Sequence, residues 1–249
     1  YNITTALGLK GNLEIDKVGE IFAKLINRHE TLRTSFEMRS GRVVQIINNE
    51  VDFEIKYLEE REEAMEEIIK DFIRPFDLGQ APLFRVAIVK MAEDQYLMAF
   101  DMHHIISDGI SMALLTDEFV KLYQGQQLEE LKIQYKDYAA WQNKLLESDL
   151  MRKHEEYWVG RFSDQLPVLN LPTDFPRPAT QTLRGDKIKF RLDRELTGKL
   201  KEIAHETGST LYMVLLSGIN ILFSRYSGQD DIIIGSPIGG RPHPDLEKI

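Results

Sequence analysis

Along the first part of the chain the hydrophobic positions switch between two periods, and each switch marks an element. Ile3 to Leu9 is an apolar, threonine-containing run that predicts a strand, punctuated by Gly11-Asn12. Val18, Ile21, Phe22, Leu25 and Ile26 then recur at helical spacing, which predicts a helix with one buried face and Asp16 as its N-cap. From Leu32 to Ile47 two strand-like runs flank Ser40-Gly41, a hairpin signal in which Val43, Val44, Ile46 and Ile47 supply β-branched side chains. A short strand from Phe53 to Tyr57 leads into an acidic helix from about Glu60 to Arg74. Pro75 ends that helix because it has no N–H to donate and its ring clashes with the preceding turn.

Leu83 to Met91 and Tyr96 to His103 are apolar on both faces and are separated by Ala92-Glu93-Asp94-Gln95, which predicts an antiparallel pair buried within a sheet. Met112, Leu115, Phe119 and Leu122 restore the helical period, so a helix is expected from Gly109 to Tyr123 with Ser107 or Asp108 as its cap. Two more helices fit Tyr135 to Glu147 and Asp149 to Phe162. Pro172, Pro176 and Pro178 then exclude both helix interior and central strand, and place a linker at 173–180 between a first part (1–172) and a second (181–249). The second part is expected to hold a strand from Lys187 to Leu192, helices at Asp193 to Glu206 and Thr210 to Arg225, and a buried strand at Asp231 to Ile234. These are too few elements to close a core. The expected class is mixed α/β.

With 249 residues, 43% of them hydrophobic and 29% charged, the chain is composed like a folded globular protein and not like a disordered one. A net charge of -9 with no Lys/Arg block argues against a nucleic-acid partner held by phosphate contacts. The absence of cysteine excludes disulfides, thiolate metal sites and a cysteine nucleophile. No apolar run approaches the roughly 20 residues that span a bilayer, and the N-terminus lacks the layout of a signal peptide. No membrane partner and a cytoplasmic location are therefore expected. Tyr1 in place of Met, and a Pro/Gly-rich approach to Ile249, suggest a piece of a larger polypeptide.

The chemistry concentrates at Met102-His103-His104-Ile105-Ile106-Ser107-Asp108-Gly109, where the second apolar strand should end and a helix begin. Such junctions expose polar groups and turn backbone N–H groups outward. Alternation along a strand sends adjacent histidines to opposite faces, so a two-histidine metal site is not expected, and no zinc-type spacing supplies a third ligand. On position alone both histidines read equally well as packing residues and Asp108 as an N-cap.

The pattern His-His-x-x-x-Asp-Gly nevertheless resembles the signature of condensation domains of non-ribosomal peptide synthetases, and of the wider chloramphenicol-acetyltransferase-like family. Three further segments resemble that family in the same order: Arg28-His29-Glu30-Thr31-Leu32-Arg33-Thr34-Ser35-Phe36, Tyr135-Lys136-Asp137-Tyr138-Ala139-Ala140-Trp141, and Gly235-Ser236-Pro237-Ile238-Gly239-Gly240-Arg241. The likeness runs through the Leu-Pro-Thr-Asp linker and covers essentially the whole chain. The family's first motif and its Phe-Val-Asn-Thr and later motifs are absent, so the expectation is a two-lobed fold truncated at both ends.

The resemblance implies that His104 faces a tunnel where two phosphopantetheine-tethered substrates meet, and that it acts on the attacking amine as base or as positioning group. It implies that Asp108 pairs with Arg33 to hold the active-site turn, that Gly109 allows close approach of a thioester, and that His103 and Ser107 support the turn. Tyr138 and Trp141 are read as helix-packing residues, and His29 and Glu30 as a surface or capping pair without chemistry. No Gly-Gly-x-Ser attachment site occurs, so substrates are expected on partners: upstream and downstream peptidyl carrier domains, with an adjoining adenylation domain, and no cofactor bound by the domain itself. Three rivals stay open, namely an epimerization domain, a coenzyme A-dependent acyltransferase, and a non-catalytic docking module on the same fold.

Overall fold

The computed structural model describes residues 1–59, 71–180, 182, 185, 186 and 188–249. Contacts divide the chain into two compact units, Tyr1–Met151 with Gly239–Ile249, and Arg152–Ile238. Residues 173–180 fall within the span of the second unit.

In the first unit, strand β1 (Asn2–Lys10), hairpin strands β2 (Thr34–Arg39) and β3 (Arg42–Ile47), β4 (Lys56–Glu59), β5 (Phe84–Ala92) and β6 (Gln95–His103) form two sheets. The larger runs in the order β1-β6-β5-β4, antiparallel except for the parallel β4–β5 pair. Ser40 and Gly41 both take left-handed backbone (φ 50° and 77°), the conformation that a two-residue turn needs to follow the twist of β2 and β3.

Helix α1 (Ile15–Arg28) lays the expected Val18, Ile21, Phe22, Leu25 and Ile26 into the core against Phe84, Val86, Ile88, Met98, Phe100 and Met102. On the other face of the sheet, Ala87 and Ala99 pack with Phe72, which is why β5 and β6 read as apolar on both sides. Helix α2 (Gly109–Tyr123) buries Leu115 and Phe119 in the same core, and α3 (Tyr135–Leu146) follows.

Two readings shift. The cap of α1 is Glu14, without a side-chain cap bond, and Asp16 sits in the first turn. Phe53 lies outside any strand because it serves as a packing residue, its ring stacked 4.8 Å from that of Phe84; the strand starts at Lys56. Most of the acidic helix expected from Glu60 to Arg74 falls at 60–70, outside the described residues.

The second unit is helical. Helix α4 (Asp149–Arg161) enters it, and α5 (Arg194–Glu206) and α6 (Leu211–Ser227) are capped by Asp193 and Thr210, whose side chains accept from Leu196 N and Met213 N. No strand forms at 188–192 or at 231–234, contrary to expectation. An alternating run has strand propensity, but a strand needs a neighbouring chain to receive its N–H and C=O groups. Among the described residues no single helix is long and apolar enough to cross a membrane.

Candidate active site

Strand β6 delivers the histidines. His103 is its last residue and donates its backbone N–H to Leu83 O (2.9 Å), while His104 N donates to Tyr1 O (2.8 Å), so the chain leaves the sheet with both amides satisfied. The imidazole of His103 turns back onto the protein, where Nδ1 accepts from Ile105 N (3.0 Å) and the ring stands edge-on to Phe76. Burial pushes its pKa down, which keeps it neutral. His104 is exposed and faces a cavity of about 310 Å³ that His103 does not line. The two adjacent imidazoles thus face different surroundings, His103 against Ile105 N and Phe76 and His104 at the cavity.

Asp108 caps α2 and is held on every side. Its Oδ1 accepts from Ser111 N and Ser111 Oγ (both 2.8 Å), and Arg241 grips both oxygens through Nη1 (2.8 Å to Oδ2) and Nη2 (3.3 Å to Oδ1). Burial opposes the charge, but the Arg241 guanidinium and the two Ser111 bonds outweigh it and hold the carboxyl far below the usual range. Asp108 is therefore an ionised acceptor fully engaged in holding the turn, and is no free base at neutral pH.

The partner expected for Asp108 was Arg33, and the structure corrects this. The Arg33 guanidinium is occupied elsewhere, donating to Asn48 O (2.7 Å) and lying 3.7 Å from Glu30 Oε1. Arg241 takes the role, and two glycines bring it there. A Cβ at Gly239 would stand 2.9 Å from Ile110 Cδ1, and Gly240 has φ +65°, so the loop runs close to the start of α2 on a backbone that side chains disfavour. Tyr138 Oη donates to Gly240 O (3.1 Å), which gives that residue a role beyond packing, while Trp141 stays half exposed.

Ser107 lines the cavity, and its buried Oγ has no hydrogen-bond partner among the described residues. Gly109 opens α2; a Cβ there would meet no protein atom within 4 Å, so protein packing does not demand glycine at this position. His29, read as surface or cap, is instead buried against the same cavity and bonded to Glu118. No cluster of three or more metal-ligating His, Asp or Glu side chains occurs among the described residues.

The family profile described as Condensation domain matches residues 1–249. The chain belongs to the condensation-domain family. Gramicidin S synthase 2 of Aneurinibacillus migulanus is 51% identical over 249 residues, covering 100% of this chain and 6% of that protein. Surfactin synthase subunit 1 of Bacillus subtilis (strain 168) is 47% identical, with 100% and 7% covered. The chain thus spans a small fraction of the length of these synthetases. Among solved structures, the condensation domain of the monacolin K polyketide synthase superposes with a TM-score of 0.85 at 21% identity, covering 99% of this chain and 59% of that one. A four-domain non-ribosomal peptide synthetase bound to AMP and glycine superposes at 0.83 with 25% identity, covering 100% and 19%. The fold is the mixed α/β, chloramphenicol-acetyltransferase-like fold of these condensation domains.

Proposed function

We propose that this chain forms a peptide bond between two carrier-bound groups. The amine nitrogen of an acceptor aminoacyl thioester attacks the carbonyl carbon of a donor acyl or peptidyl thioester, and the C–N bond forms. The tetrahedral intermediate collapses with cleavage of C–S, and the proton shed by nitrogen ends on the departing thiol. The observation that carries this reading is the division of labour at the β6–α2 turn: His104 is free and cavity-facing, whereas Asp108 is consumed by Arg241 and Ser111. A neutral imidazole accepts the proton of the attacking amine, or hydrogen-bonds the amine and leaves the acceleration to proximity.

In this reading Gly109 leaves room for the thioester at the start of α2, and Ser107 and His103 support the turn. The substrates arrive on phosphopantetheine arms of upstream and downstream peptidyl carrier domains, with an adenylation domain adjoining, in the cytoplasm. Residues 1–172 and 181–249 belong to the two lobes. The length of the synthetases that the chain resembles supports these partners.

The test loads donor and acceptor carriers, supplies the full-length polypeptide, and scores dipeptidyl carrier by mass spectrometry. His104→Ala should lower the rate by roughly 10²- to 10⁴-fold, the usual range for losing a positioned acid–base group. A solvent deuteron at Cα with no dipeptide would instead identify epimerization, turnover of free acyl-coenzyme A an acyltransferase, and carrier binding without any turnover a docking module.

A further inference from the structure

The cavity has a second imidazole. His29 is 7% exposed, and its Nε2 lies 2.6 Å from Glu118 Oε2, while Arg28 Nε donates to Glu118 Oε1 (3.0 Å). Burial disfavours the Glu118 carboxylate, but the hydrogen bond to His29 and the charge and hydrogen bond of Arg28 outweigh it and hold the carboxyl below its usual range. An ionised carboxylate only accepts, so the proton shared with His29 sits on Nε2. In the neutral ring this leaves Nδ1 a bare lone pair. That nitrogen has no partner among the described residues, yet the ring lines the same cavity as His104. A carboxylate that fixes a histidine's tautomer and so aims its other nitrogen is a recurrent device of binding sites.

We propose that His29 is a substrate-positioning residue whose Nδ1 accepts an N–H from the occupant of the cavity, with Glu118 setting the tautomer. The proposal rests on the peptide-bond reading for the identity of that occupant, an aminoacyl thioester on its pantetheine arm. Two of its groups carry such a donor, the α-amine and the pantetheine amides. A bond to a pantetheine amide touches no reacting atom and falls on substrate affinity alone, whereas a bond to the α-amine, the attacking nitrogen, falls on the chemical step as well.

The experiment exploits the geometry of amides. In His29→Gln the side-chain NH₂ overlays Nε2, keeping the bond to Glu118 and removing the acceptor; in His29→Asn the side-chain oxygen overlays Nδ1, keeping the acceptor and giving up Glu118. Calorimetry on the full-length polypeptide measures binding of two non-transferable ketone-linked probes, with CH₂ in place of the thioester sulfur: aminoacyl-pantetheine and the same aminoacyl group on a simple alkyl chain, alongside Tm. His29→Gln should keep Tm and bind aminoacyl-pantetheine about tenfold more weakly, with KM for loaded acceptor raised and, where a pantetheine amide is the donor, kcat little changed, as expected for one lost hydrogen bond. If the loss vanishes with the alkyl probe the donor is a pantetheine amide, and if it persists the donor is the amine. Wild-type affinity in His29→Gln overturns the proposal. Should His29→Gln lower Tm, His29→Asn decides: affinity retained despite a lower Tm supports the acceptor role, and affinity lost in step with Tm in both variants overturns it. Probe binding that depends on His29 while the wild type forms no dipeptide would sink the peptide-bond reading and leave this one standing.

Discussion

Helix α2 carries one ionised carboxylate at its start and another further along, and the protein treats them differently. Asp108 sits at the N-cap, 39% exposed at its side chain, clasped by Arg241 from a glycine-bent loop. Glu118 lies on the apolar stripe between Leu115 and Phe119 or Leu122, 5% exposed, between Arg28 and His29. Both carboxyls are held below their ordinary range, yet water can replace much of what Asp108 loses and almost none of what Glu118 loses. Depth, more than partner count, decides what each is worth: the half-buried pair shapes a turn, whereas the buried triad ties α2 to α1.

The largest expected effect follows from the buried triad. Glu118→Ala strands the Arg28 guanidinium and the His29 imidazole without their acceptor, and should cost about 3 kcal/mol in urea unfolding, the range for breaking a buried ion pair from one side. A loss below about 1 kcal/mol would mean that Arg28 escapes to water and that the triad is weaker than its geometry suggests.

At the start of the helix the expected cost is smaller. Asp108→Asn can keep Oδ1 as the N-cap acceptor but turns Oδ2 into an NH₂, so it loses both the charge and the acceptor of Arg241 Nη1; stability should fall by about 1 kcal/mol while turnover falls more, because the His104 turn relaxes. Arg241→Ala should act through the same contact. The double variant should then be clearly less destabilised than the sum of the two single variants; simple additivity would show that the pair contributes no coupling.

Legibility in the sequence followed the range of each interaction. The two-sided core strands, the Ser40-Gly41 turn, the cap at Asp108 and the helix starts at Asp193 and Thr210 are local patterns and were readable. So was the turn that presents His104. Arg241 was not, because its bond to Asp108 joins positions 133 apart and no local period encodes it. A signal was present in Gly239-Gly240, since paired glycines before an arginine announce a close backbone approach. Glu118 offered another: a carboxylate on the apolar face of a helix has to find a partner, and His29, with no partner suggested by the sequence, was that partner. The expected strands at Lys187–Leu192 and Asp231–Ile234 failed for the opposite reason. The alternation of the first and the apolar run of the second record side-chain preference and say nothing about which chain would complete the ladder.

The smallest effect, and the sharpest test of the contrast in depth, is a response to pH and salt. Both carboxyls have folded pKa values below their unfolded ones of about 3.9 for Asp and 4.3 for Glu, so each contributes stability that is fully present above those values. That stability is lost as pH falls through the folded values, because the unfolded chain then binds protons that the folded chain refuses. Tm should therefore hold steady from neutral pH to about pH 5 and fall below it, and Asp108→Asn should flatten part of the fall. Salt near 1 M shrinks the screening length to about 3 Å and acts on pairs that water reaches. It should shrink the Asp108 share of the acid sensitivity, the difference between wild type and Asp108→Asn, and leave the Glu118 share, the difference between wild type and Glu118→Gln, less changed. Equal salt sensitivity of the two shares would show that Glu118 is as well solvated as Asp108, and would remove the physical basis for assigning it the fixed tautomer of His29.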